Sequence, residues 1–233
     1  MPPTAITFDC AQTLVKVDWQ PAILAVKSAK MAGVDFEALP AAEIYERILR
    51  KRWPEFMELN KTREEKVLAQ FWRELTDDWL DEAGMPADKA DDVVKHANEL
   101  LFGEGSEVFQ LYDDVVPCLD TLRENGIRLA VVSNWDNSLH RTLRMFGLTE
   151  YFEHVVASLE EGVEKPDPRL FKIALDRLGV EPEHALHVGD NPLDDWQGAT
   201  DAGMRAFVID RNSPAPSEAR ITSLAQLPEA VGL

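Results

Sequence analysis

Between about residues 107 and 210 short apolar runs alternate with segments of helical spacing, and this alternation constrains the fold more than any other feature of the chain. The runs 129–132, 155–157, 185–188 and 206–209, with 5–8 near the start, are rich in Val, Ile, Leu and Ala. Runs of that kind read as parallel strands buried on both faces. Between them, 116–124 leads into Asn125-Gly126, 139–146 ends at Gly147, and 169–178 ends at Gly179, where a left-handed residue closes a helix. Asp167-Pro168 sets a capping carboxylate ahead of a first-turn proline. The alternation predicts an α/β fold, a Rossmann-like doubly wound parallel sheet with right-handed crossovers.

The stretch 15–106 breaks the pattern. It has almost no strand signal, and apolar residues such as Val67, Phe71 and Leu75 fall at helical spacing. We therefore expect two domains: a core of 1–14 and 107–233, and an inserted helical domain of 15–106. Lys16 to Trp19 and Gly103 to Glu107 are the expected hinges. Trp53, Trp72 and Trp79 are expected to pack in the insertion's core rather than line a pocket. The tail 213–233, with Pro214, Pro216 and Pro228, is expected to be irregular apart from one short closing helix.

A chain of 233 residues with 45% hydrophobic and 28% charged residues has the make-up of a folded globular protein. Its net charge of −18 argues against nucleic acid or an anionic membrane as partner, and Arg50-Lys51-Arg52 is too short to offset it. No apolar run approaches the roughly 18 residues of a membrane span. Cys10 and Cys118 make no disulfide framework at this length. A cytoplasmic protein with a small-molecule substrate is the expectation; the oligomeric state is not legible.

Open parallel sheets bind ligands beyond the carboxyl ends of their strands. There this chain places Asp9, then Ser133-Asn134, then Gly189-Asp190 with Asp194-Asp195 close behind, while Lys165 lies in the loop after 155–157. Taken singly, each has an ordinary explanation: a turn aspartate, a loop cap, a solvated lysine, an acidic helix start favoured by its dipole. Jointly they gather a nucleophilic carboxylate, a hydroxyl, an ammonium and a second acidic cluster on one edge. Cys10 and His187 are expected to be packed, and Trp135 and Trp196 to pack beside the motifs.

The set Asp9 with Thr13, Ser133-Asn134, Lys165-Pro166 and Gly189-Asp190 with Asp195 resembles the four signature motifs of the haloacid dehalogenase superfamily, in order and across nearly the whole chain. The insertion resembles that family's type I cap. The stretches 132–136, 165–171 and 187–199 are similar to the haloacid-dehalogenase-like hydrolase domain-containing subgroup. The resemblance implies a phosphatase-type hydrolase in which Asp9 forms an aspartyl phosphate. It implies Mg2+ held by Asp9, the Ala11 carbonyl and Asp190, with Asp195 orienting the ion's waters or pairing with Lys165. Ser133 and Lys165 would hold the phosphoryl group, and Asn134 and Gln12 would contact the substrate.

Two positions depart from the family pattern. Its loop reads Asp-x-Asp-x-Thr, and the second Asp protonates the leaving oxygen and then activates water; here that position is Ala11. Gln12 stands where glycine is common. Losing a general acid costs about 10²- to 10⁴-fold in rate, which spares aryl and acyl phosphates. Alternatives are a 2-haloacid dehalogenase, whose halide leaves without a proton, and a catalytically impaired binding protein. Asp190 weighs against dehalogenation, because a second carboxylate without a cation would protonate the nucleophile. A dehalogenase would also need an arginine for the substrate carboxylate, with Arg47 or Arg50 as candidates.

Overall fold

A computed structural model describes residues 2–106, 108–213, 215 and 219–233. Strand β1 (Ala5–Phe8) is followed by β2 (Val15–Val17), helices α1 (Pro21–Met31), α2 (Ala38–Asn60), α3 (Glu65–Glu82) and α4 (Ala90–Phe102), and strand β3 (Phe109–Leu111). There follow α5 (Val115–Glu124), β4 (Arg128–Ser133), α6 (Ser138–Met145), β5 (His154–Ala157), α7 (Ser158–Glu161), α8 (Pro168–Leu178) and β6 (Ala185–Gly189). A π-helical turn, Pro192–Gln197, enters α9 (Gly198–Asp201), and β7 (Arg205–Ile209), β8 (Arg220–Ile221) and α10 (Leu227–Ala230) complete the order. The chain divides into two compact units, Met1–Val17 with Gln110–Leu233, and Asp18–Phe109.

The first unit is built on a six-stranded sheet of order β5-β4-β1-β6-β7-β8, in which every pairing is parallel. All four residues of β1 are buried, polar Thr7 among them, as on a strand covered on both faces. Phe8 is in register with Val131 of β4 and Val188 of β6, so Asp9, Ser133 and Asp190 emerge at one edge. From β1 the chain builds outward to β4 and β5 on one side and to β6, β7 and β8 on the other. In open parallel sheets such a reversal, at the carboxyl ends of the central strands, is where ligands bind.

Helix α8 shows how the layers join. Asp167 accepts the Arg169 N–H at 2.9 Å and Pro168 occupies the first turn, while Gly179 ends the helix with φ 62°. Leu170, Phe171, Ala174, Leu175 and Leu178 recur at helical spacing and are buried; the first four pack with Val132 and Val156 of the sheet. Full burial of one such Leu or Phe contributes about 1.5–3 kcal/mol. Gly198 is held to glycine by the same packing, since a Cβ there would lie 2.8 Å from the Phe171 ring.

The second unit carries α1 to α4. Trp79 is fully buried, donates Nε1–H to the Ala41 carbonyl at 2.7 Å, and meets Phe36 and Tyr45 edge-on. Trp72 packs on Phe56 and Phe71, and Trp53, 38% exposed, leans on Phe56. Arg47 pairs with Glu82 on this unit's surface.

The tail differs from its expectation. Arg220–Ile221 adds a sixth strand, because Ile221 pairs with Ile209 and is only 3% exposed. Strands β2 and β3 form a separate two-stranded sheet. Segments of two or three residues are too short to show a period. Helix α10 contains Pro228, whereas Glu107, Pro214 and Pro216 lie outside the described residues. Among the described residues no helix is long and apolar enough to cross a membrane. Cys10 and Cys118 are buried, and burial pushes the Cys118 thiol up to about 12.

Candidate active site

Asp9 follows the last residue of β1, its N–H donating to the Val188 carbonyl at 2.9 Å, and it is 5% exposed. Its Oδ1 accepts the Ser133 hydroxyl at 2.8 Å and the Lys165 ammonium at 2.6 Å. Oδ2 accepts no hydrogen bond among the described residues. Lys165, 5% exposed, also reaches Asp195 Oδ1 at 2.5 Å. One ammonium therefore bridges two buried carboxylates whose positions are far apart in the chain.

Asp195 is fully engaged. Its Oδ1 also accepts His187 Nε2–H at 3.1 Å, and its Oδ2 accepts the Asn191 N–H at 2.9 Å. The Asn191 side chain caps the π-helical turn by accepting the Leu193 and Asp194 amides, which fixes where Asp195 points. A Cβ on Gly189 would overlap the Asp195 carboxylate, so this position of β6 admits only glycine. Behind Asp195 the His187 ring is completely buried, with Nδ1 at 2.8 Å from Thr7 Oγ1 and Phe171 edge-on at 5.0 Å.

The remaining residues singled out in the sequence hold the frame. Asn134 bonds to the backbone of Lys165. Gln12 has φ 56°, the left-handed region, at a cost of roughly 1–2 kcal/mol for an L residue. Its Nε2 donates to the Val17 carbonyl at 2.8 Å, and its Oε1 accepts the Tyr112 hydroxyl at 3.3 Å. Both ends of the Gln12 amide are thus spent inside the loop. Arg211 ties the same loop down: it donates to the Thr13 carbonyl at 2.7 Å, lies 3.7 Å above the Tyr112 ring, and pairs with Asp114 at 2.8 and 3.0 Å. Asp194 accepts from the Asn191 amide at 2.9 Å, and Trp135 donates to Ser138 at 2.9 Å.

Oxygens of Asp9, Asp190 and Asp195 all lie within 4.8 Å of one another. Three carboxylates around one ammonium leave an excess of negative charge. Burial, then Asp9 and Asp195, push the Asp190 carboxyl up to about 6. Burial and the neighbouring Asp195 also hold Asp9 above the usual carboxylate range, outweighing Lys165. Burial opposes ionisation of Asp195, yet His187 and Lys165 together keep it low. Burial disfavours the charged forms of Lys165 and His187; the two carboxylates hold Lys165 charged, and His187 is held below its usual value. The donor set is entirely oxygen, which suits a hard divalent cation. Among the described residues the Ala11 carbonyl takes no part in the loop's bonds, because its bridge to Val15 runs through Cys10 O and Gln12 N–H. The residues present fit such an ion.

Sequence reasoning missed Thr7, Asn191, Tyr112, Asp114 and Arg211; His187 is packed as expected, with both ring nitrogens bonded. A signal existed for one of its contacts. Thr7 and His187 are polar interruptions in apolar strands, and the strand register sets them side by side.

A parallel sheet with these carboxylates at the reversal of its strand order defines a Rossmann-like α/β protein with a charged cluster at the end of its central strand. The model of the haloacid dehalogenase-like hydrolases matches residues 3–203, and the chain belongs to that family. It is 32% identical over 217 residues to haloacid dehalogenase-like hydrolase domain-containing protein 3 of Mus musculus, covering 92% of this chain and 85% of the relative. It is 41% identical over 133 residues to phosphoserine phosphatase of Thermus thermophilus, covering 57% of this chain and 51% of that enzyme. Among solved structures, a 2-haloacid dehalogenase from Pseudomonas syringae superposes with a TM-score of 0.67 at 29% identity, covering 98% of each chain.

Proposed function

We propose that this hydrolase is a magnesium-dependent, phosphatase-type enzyme that acts on a small phosphorylated metabolite through Asp9. The observation that carries the reading is the single Asp9 oxygen shared by Ser133 and Lys165, which leaves Oδ2 free to attack. Oδ2 would bond to phosphorus as the bond to the leaving oxygen breaks, giving an aspartyl phosphate that water then hydrolyses. Lys165 and Ser133 would turn their donors toward the phosphoryl oxygens as charge builds there. Asp9, Asp190 and the Ala11 carbonyl would hold Mg2+, with Asp195 bonded to Lys165 behind them. Bound there, the ion offsets the carboxylate charge and draws charge from the phosphoryl oxygens. Residues 15–106 would form the cap that selects the substrate. The likeness to phosphoserine phosphatase supports the reaction class.

Ala11 can neither protonate a leaving oxygen nor activate water. The reading therefore favours phosphates with acidic leaving groups, such as acyl or aryl phosphates. The same residue, with the likeness to a 2-haloacid dehalogenase, supports a second reading in which Asp9 displaces halide from carbon. Asp190 weighs against it, because an uncompensated carboxylate within 4.8 Å of Asp9 opposes the ionised nucleophile.

The test is a panel of phosphate esters and 2-haloacids, each with Mg2+ and with chelator, on the wild type and on Asp9→Asn. Metal-dependent phosphate release that disappears in Asp9→Asn is the expected result. Halide release indifferent to chelator would favour the second reading, and silence on every compound would leave a binding protein.

A further inference from the structure

We propose that His187 is a positioning residue of the hydrolytic centre: held as the Nε2–H tautomer by Thr7, its one N–H orients Asp195 so that Asp195 holds Lys165 against Asp9. The inference rests on the reading of Asp9 and Lys165 as the reacting pair, and extends it two residues deeper into the sheet.

The tautomer follows from the partners. A carboxylate accepts but does not donate, so the 3.1 Å contact between Nε2 and Asp195 Oδ1 requires the hydrogen on Nε2. The neutral ring then has a lone pair on Nδ1, and Thr7 Oγ1, at 2.8 Å, donates to it. Both contacts are buried, and Thr7 and His187 face each other across the pairing of β1 with β6. The ring cannot swing away: Phe171 stands edge-on against it at 5.0 Å.

The consequence reaches Lys165. Its ammonium ends a flexible four-carbon stem and has two carboxylates to choose between. The stem is restrained only if Asp195 is itself restrained. Asn191 N–H holds Oδ2, and His187 shares Oδ1 with the ammonium, so the carboxylate plane is fixed from two directions. Without the imidazole N–H, Asp195 could rotate about its last bond, taking the Lys165 ammonium away from Asp9 Oδ1. Groups that orient metal ligands from one bond behind change affinity or activity by about 10- to 100-fold when removed, and His187 acts in a comparable chain, one hydrogen bond behind Asp195 and two behind Lys165.

The experiment compares His187→Phe, which keeps a ring but no donor, with His187→Gln, whose amide N–H reaches about as far as Nε2. On the best phosphate ester of the panel, His187→Phe is expected to lose about 10- to 100-fold in kcat with KM little changed. His187→Gln is expected to recover most of that loss. A long-range proton–nitrogen spectrum of the wild-type chain with labelled histidine should show His187 only as the Nε2–H tautomer. The crystal structure of His187→Phe should show Lys165 Nζ displaced from Asp9. A folded His187→Phe with wild-type kcat, a Gln variant as damaged as the Phe variant, or an Nδ1–H ring in the wild type would each overturn the inference. If no phosphate ester is turned over, the proposed function fails, while the spectrum and the His187→Phe structure still decide the role of His187.

Discussion

Asn134 grips the backbone of Lys165 from both sides, its Nδ2 donating to the Lys165 carbonyl at 3.0 Å and its Oδ1 accepting the Lys165 N–H at 2.7 Å. The two bonds close a ring between the residue after β4 and the loop after α7, where no strand pairing holds the chain. Asn134→Ala removes both and is expected to lower stability by about 1 kcal/mol, as for hydrogen bonds with partial access to water. Because the amide is occupied by Lys165, kcat should fall several-fold while KM stays near its wild-type value. A rise in KM at constant kcat would instead make Asn134 a substrate contact. Urea unfolding and steady-state kinetics read the two quantities separately.

Ala11→Asp places a carboxyl two residues after Asp9, the proposed nucleophile. If proton transfer to the leaving oxygen limits turnover, this substitution should raise kcat on alkyl phosphates by about 10²-fold or more, and on aryl phosphates much less. Equal effects on both classes, or none, would mean that another step limits the reaction. The comparison needs only a nitrophenyl ester and a sugar phosphate at saturating Mg2+.

Asp114 gives a pH dependence remote from the reacting groups. Burial works to raise its carboxyl, but Arg211, the Ser223 hydroxyl and the Leu224 N–H outweigh burial and hold it below the usual range. A carboxyl depressed in the folded state adds stability above its unfolded value, about 3.9, and loses it as pH falls through the folded value. Asp114→Asn keeps an acceptor for Ser223 and Leu224 but removes the charge that pairs with Arg211. The variant should therefore be less stable than wild type at pH 7, and the gap should begin to close as pH falls below about 4 and go on closing through the lower folded value. A gap that stays constant down to pH 3 would rule out the charge as its source. Denaturant midpoints across that range supply the measurement.

The five strands of four to six residues in the main sheet were legible because each is a local apolar run, and α8 was legible because Asp167, Pro168 and Gly179 mark both its ends. Strands β2, β3 and β8 were not, since a few residues carry no period and their pairing is decided by tertiary contacts. The candidate site divides along the same line. Asp9 and Asp190 follow strands, Ser133 ends one, Lys165 lies in a loop and Asp195 in the π-helical turn, all at one predictable edge. The partners of Gln12, Asn134 and His187 depend on which side chain the folded chain brings close. Asn134 and Lys165 are 31 residues apart, and nothing near either one announces the other.

The place of β1 at the middle of the sheet has a cost during synthesis. Its partner strands begin at Arg128 and Ala185, and Thr7 meets His187 only across 180 residues of chain. At ~5–20 residues per second the ribosome makes β6 roughly ten to thirty-five seconds after β1. Until β4 is made both edges of this apolar strand are open, and the edge that β6 covers stays open longer, a template for pairing with a neighbouring nascent chain. The growing polypeptide thus carries Asp9 directly behind a strand that is made first and is fully paired only once β6 follows.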